Sequence, residues 1–140
     1  MSKMNPVVHF EMPADDQARM SEFYSKAFGW QTKQLGEDMG GYTIVTTSEA
    51  DPNDSVGRPK TPGTINGGFF KKTKPDQTPS VVIAVDDMQE AMKKVTEAGG
   101  TVKGGMQNPG QPDDIPGVGL YCAVIDTEGN RISLLQPKGM

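Results

Sequence analysis

Hydrophobic and polar positions along this chain follow two periods, and the pair of periods occurs twice. Over residues 7–12 the period is two: Val8, Phe10 and Met12 fall on one strand face, and Val7, His9 and Glu11 fall on the other. Met20, Phe23, Tyr24, Ala27 and Phe28 then recur at helical spacing and form one apolar stripe. Pro13 is expected to end the strand, because it cannot donate to a ladder. Asp15 or Asp16 can cap the helix, and Gly29 can stop it in the left-handed conformation. The second copy has a strand at 80–85, a cap at Asp86 or Asp87, and a stripe of Met88, Ala91, Met92, Val95 and Ala98. Gly99-Gly100 is its stop. The copies are offset by 71 residues. A repeat of that length is a whole supersecondary unit, and two such units ordinarily close one shared core.

After each helix come shorter strand patterns, at 30–33, 42–46 and 65–70 in the first copy and at 101–103, 120–125 and 131–135 in the second. Asp126-Thr127-Glu128-Gly129-Asn130 joins the last two as a hairpin turn, by its glycine and asparagine. The expected organisation is a single α+β domain over residues 1–140, with a βαβββ module at 6–72, a linker at 73–79 and a second module at 80–138. Residues 48–63 and 104–119 are rich in proline and glycine and read as long irregular loops, which in a compact domain are either disordered or covers over a site.

Composition narrows the function classes. The formal charge is -4, and the 14 basic residues are scattered, which argues against a nucleic-acid surface. Lys71-Lys72-Thr73-Lys74 is the one basic cluster, and it falls where a solvated loop is expected. Cys122 is the only cysteine, so no internal disulfide can form; within its apolar run it reads as a small hydrophobe. No apolar run reaches the roughly 20 residues of a membrane span, and no apolar signal region follows Met1-Ser2-Lys3-Met4. A soluble cytoplasmic protein is expected.

A twice-repeated βαβββ unit with these residues at its turns resembles the vicinal oxygen chelate superfamily, which includes glyoxalase I, the extradiol dioxygenases and the bleomycin resistance proteins. The matching stretches are Val8-His9-Phe10-Glu11-Met12-Pro13-Ala14-Asp15-Asp16, Phe23-Tyr24, Phe28-Gly29-Trp30, Gly67-Gly68-Phe69-Phe70, Val85-Asp86-Asp87, the turn at 126–130 and Leu134-Leu135-Gln136-Pro137. The resemblance implies a glyoxalase/bleomycin-resistance-like fold with curved mixed sheets around a pocket, and a homodimer. It also implies four metal ligands, on the first and last strand of each module. Those positions fall on His9, Gly68, Ser80 and Ser133. Only His9 is a strong donor for a divalent ion. Glu11, on the same strand face, could supply a second, and two ligands still make a weak site.

His9 and Glu11 are therefore the candidate catalytic and metal-binding residues, on a face that is either solvated or turned to a cavity. Asn66, Gly68, Phe70, Ser80, Tyr121 and Ser133 are the candidate ligand-binding residues. The missing side chain at Gly68 either leaves room for a ligand or marks a bulge or close backbone approach. The cofactor is unknown: a divalent metal is one choice, and the thin ligand set favours none. Three functions stand open. The first is a metal-free small-molecule binding protein, as in the resistance branch. The second is a metal-dependent lyase or dioxygenase of the glyoxalase type, and the third a pocketless interaction protein.

Overall fold

The computed structural model describes residues 4–54 and 59–138. The chain's first three residues, and 55–58 within the expected loop 48–63, lie outside them. The chain falls into two compact units, one running from His9 to Pro79 and the other formed by the rest.

The first unit is built from β1 (Val7–Ala14), α1 (Gln17–Phe28), β2 (Gln31–Gln34), β3 (Thr43–Thr46) and β4 (Asn66–Lys71). Its strands run in the order β2-β3-β4-β1, with β1 parallel to β4 and the other pairs antiparallel. Of the two candidate caps, Asp16 holds α1, its carboxylate accepting from the Arg19 N–H at 3.0 Å. Gly29 closes the helix at φ 74°, where a Cβ would be strained. Pro13 does not end β1, contrary to expectation: the strand runs on to Ala14, whose carbonyl accepts from the Lys72 N–H at 2.9 Å. Backbone groups alternate in direction along a strand, so the nitrogen of Pro13 faces away from β4 and no bond in that ladder is lost.

The helix face of this unit is aromatic. Tyr24 stacks on Trp30, with ring centroids 4.7 Å apart, and lies 5.6 Å from the buried Phe69; Phe10 lies 5.6 Å from Trp30. The α1 stripe is only partly covered, however. Phe23 and Phe28 are 57% and 64% exposed.

The second unit comprises β5 (Ser80–Ala84), α2 (Met88–Glu97), β6 (Thr101–Gly104), β7 (Asp113–Ile115), β8 (Gly119–Ile125) and β9 (Arg131–Pro137). Its order is β5-β9-β8-β6, with β5 parallel to β9, and β7 pairs with the start of β8. Asp87 is the cap, accepting from the Glu90 N–H at 3.1 Å. Val85, Met88, Cys122, Val124 and Leu134 form the buried core under α2, flanked by Ala91, Met92 and Val95 of the expected stripe. The strand β7 lies inside the segment expected to be irregular. The Asp113 carboxylate organises that segment, accepting from the Met106 N–H at 2.7 Å and the Asn108 amide at 2.8 Å. The architecture is thus α+β with two βαβββ modules, the second carrying one additional short strand. Among the described residues, no helix is long and apolar enough to cross a membrane.

Candidate functional site

Strand alternation sorts the first unit's chemistry onto the face opposite α1. Phe10 and Met12 point toward the helix, which turns His9 and Glu11 the other way. The parallel register of β1 and β4 sets His9 beside Asn66, Glu11 beside Gly68 and Pro13 beside Phe70. These five sequence-selected residues, His9, Glu11, Asn66, Gly68 and Phe70, therefore share one face. The Asn66 Oδ1 accepts from the Thr47 N–H at 2.9 Å, so that side chain also ties β4 to the end of β3.

The residue that completes this face is one that the strand pattern did not single out. Tyr42 immediately precedes β3, and its hydroxyl lies 3.0 Å from His9 Nε2 in a hydrogen bond. It reaches there diagonally. Ile44 is the register partner of Gly68, and Tyr42 is two residues earlier, a separation that a long aromatic side chain spans. A Cβ built on Gly68 would land on the Tyr42 phenol. The space of the absent side chain is thus occupied by the Tyr42 phenol. Gly67 does the same on the helix face, where a Cβ would meet the Phe10 ring.

Burial holds His9 below its ordinary value of 6.5, so the ring is neutral at pH 7. A neutral imidazole against a phenol is a polarised pair that can donate to, accept from, or relay a proton to a polar group. The metal centre implied by the resemblance does not fit. Among the described residues, no group of three or more His, Cys, Asp or Glu side chains could hold a metal ion. Among the described residues no third His, Cys, Asp or Glu joins His9 and Glu11, and β4 carries a glycine at the matching position. Ligation through Nε2 would also require displacing the Tyr42 hydroxyl.

In the second unit the equivalent face carries Ser80, Tyr121 and Ser133. Ser133 pairs with Val82 on one side and Ala123 on the other. Cys122 and Val124 enter the α2 core, so Tyr121 and Ala123 turn away from the helix, which settles the side that alternation alone left open. The Tyr121 hydroxyl and Ser133 Oγ are 2.9 Å apart. Ser80 opens β5, half-buried, on the same face as Val82. Cys122 is fully enclosed and its thiol is pushed up by burial, the opposite of what an attacking thiolate needs.

A cleft of about 490 Å³ lies at the corner of β1 and α1 and is lined by Pro13, Ala14, Asp16, Arg19, Phe23 and Tyr24, among others. Neither His9 nor any other sequence-selected site residue lines it.

A repeated βαβββ unit whose helix-free faces carry its polar side chains defines a class of protein, and comparison with known sequences identifies it. The chain belongs to the Glyoxalase/Bleomycin resistance protein/Dioxygenase superfamily, whose family model matches residues 7–134. No curated protein sequence matches it significantly. Solved structures share the fold. A hypothetical protein from Bacillus halodurans has a TM-score of 0.64 at 11% identity, over 99% of this chain and 98% of that one. A methylmalonyl-CoA epimerase in complex with methylmalonyl-CoA and NH4+ has a TM-score of 0.62 at 14% identity, over 98% and 97%. A variant of the Streptomyces coelicolor methylmalonyl-CoA epimerase, in complex with 2-nitronate-propionyl-CoA, has a TM-score of 0.64 at 13% identity, over 98% and 100%. At such identities the likeness is one of fold.

Proposed function

We propose that this protein is a small-molecule binding member of its superfamily that works without a bound metal, recognising its ligand at the His9–Tyr42 pair. The observation that carries the reading is the 3.0 Å hydrogen bond between a half-buried, neutral imidazole and a phenol on the face opposite α1. Half-buried polar groups on a face without a helix are what a polar ligand needs for orientation, and Phe70 and Ile44 on the same face supply apolar contact. Glu11 and the Asn66 amide extend the polar set. A homodimer in the cytoplasm is part of the same reading; the exposed aromatics Phe23 and Phe28 are consistent with a surface covered by a second copy. A lyase or dioxygenase of the glyoxalase type has less support, because its donor set is not assembled here.

Thermal-shift screening of the untagged protein tests this. The panel should contain aromatic metabolites and acyl-CoA thioesters, methylmalonyl-CoA included, since similar folds hold such thioesters. At a hundredfold excess over Kd a ligand stabilises by about 2.7 kcal/mol, which for a chain of this size raises Tm by roughly 8 °C. His9→Ala and Tyr42→Phe should each shrink that shift. A panel without a single stabilising compound, or a shift that survives both substitutions, would defeat the proposal.

A further inference from the structure

In each unit a tyrosine lies diagonally across the last strand and reaches the same point on it. Ile44 pairs with Gly68 in the first unit, and Ala123 pairs with Ser133 in the second. Tyr42 and Tyr121 each precede the paired residue by two, so they occupy equivalent places in the two ladders. The Tyr121 phenol bonds the Ser133 hydroxyl at 2.9 Å. The Tyr42 phenol has no hydroxyl to meet at Gly68; it fills the space of the absent side chain and bonds His9 instead. These last-strand points are where the resemblance places a metal ligand in each module. Glu11 is the register partner of Gly68, and His9 lies on the same face of the same strand. A carboxylate at position 68 would therefore stand beside two existing donors, were the phenol not already there.

We propose that the Tyr42 phenol takes the place of a metal ligand's side chain through the gap at Gly68, so that His9 bonds a phenol or a metal ion but not both. Gly68 is the positioning residue that sets this choice. Any side chain there collides with the phenol, and the collision must move either Tyr42 or β4. Ser133 shows that the second unit tolerates a side chain at the equivalent point because its own tyrosine stops at hydrogen-bonding distance. The inference stands on this packing alone and holds whether or not a small molecule binds the face.

Two sets of variants test it, and neither needs a ligand. Gly68→Ala should lower Tm by roughly 5 °C and shift the His9 ring resonances, which are unambiguous in a chain with one histidine. In a Tyr42→Ala background the same substitution should leave Tm nearly unchanged. Should Gly68→Ala fail to fold, recovery of the fold in Gly68→Ala/Tyr42→Ala supports the inference equally. The second set asks for the metal. By calorimetry, Gly68→Glu/Tyr42→Ala should bind Ni2+ tighter than the wild type by roughly tenfold or more, and adding His9→Ala should remove the gain. The inference is overturned if Gly68→Ala leaves Tm and the His9 resonances as in the wild type, or if the stability loss is the same with and without Tyr42. It is equally overturned if the folded Gly68→Glu/Tyr42→Ala variant binds Ni2+ no tighter than the wild type.

Discussion

Removing the Tyr121 hydroxyl should destabilise the protein more than removing the Ser133 hydroxyl it touches, although both changes break the same bond. The two oxygens are 2.9 Å apart, but their surroundings differ: Ser133 is 1% exposed, whereas Tyr121 is half-buried. In Tyr121→Phe the serine hydroxyl stays enclosed without its partner, and with so little of it exposed water does not replace the lost bond. A hydroxyl stranded in this way costs about 1–3 kcal/mol, and the enclosure here points to about 2 kcal/mol. In Ser133→Ala the phenol, being half-buried, can still meet solvent, so the loss should be about 1 kcal/mol or less. The double variant removes both polar atoms with little change of shape and should lose no more than the serine variant does. That implies a coupling of about 2 kcal/mol between the two sites. Urea unfolding followed by circular dichroism measures all four proteins, and equal slopes allow their midpoints to be compared directly. If the serine variant proves the less stable of the two, or if the two losses simply add, the assignment of an enclosed hydroxyl satisfied by Tyr121 is wrong.

The remaining predictions concern His9 and the α2 core. Because burial sets the folded pKa of His9 below its unfolded value of 6.5, the unfolded chain binds its proton first as pH falls. The stability from this group is therefore fully present above the unfolded pKa and is lost as pH drops from there toward the folded one. An NMR titration of the single imidazole should give a lower midpoint in the native protein than in urea; an equal or higher midpoint would show the ring to be solvated. Met88→Ala should cost about 3 kcal/mol, since Met88 is 0% exposed and its backbone N–H is pinned to the Gln136 side chain at 2.7 Å, which restricts collapse into the cavity. Calorimetry should then show a Tm roughly 10 °C lower. A loss no larger than that of Met92→Ala, at the half-buried flank of the cluster, would contradict the packing.

The fold was legible because its signals are local and redundant. A period of two that gives way to a period of 3.6, an aspartate at the cap and a glycine at the stop all recur at one offset, and both helices with eight of the nine strands began within one residue of their expected starts. The strand β7 was hidden by its own composition: Asp113-Asp114-Ile115 has no apolar alternation, and it is held by pairing to β8 and by the Asp113 carboxylate. Pro13 stays inside β1 because its missing donor matters only on the side that faces a partner strand, and that side is set by tertiary register. In the site, alternation grouped His9 with Glu11 on β1 and Asn66 with Gly68 and Phe70 on β4, and the register between the two strands sets these groups side by side. Tyr42 escaped because the constant offset fails after the helices. The first copy has its long loop after β3 and the second before β8, so Tyr42 and Tyr121 stand 79 residues apart and not 71. Register between β3 and β4 is a tertiary fact, and the diagonal contact follows only from it.

That separation has a physical basis that bears on the whole superfamily fold. The period of a strand puts fold and chemistry on opposite faces of the same residues. Phe10, Met12, Val45 and Phe69 form the α1 face, and they specify how the sheet packs against the helix. His9, Glu11, Tyr42 and Gly68 occupy the other face and contribute little to that packing. Substitutions on the second face can therefore exchange a carboxylate for a glycine and a tyrosine without disturbing the first. The match over residues 7–134 defines the family, and the TM-scores near 0.6 define the fold. They carry no information on whether the opposite face holds a metal, a phenol or neither. In this chain the residue paired with Glu11 is Gly68, and the side chain that stands next to His9 in the space it leaves is Tyr42.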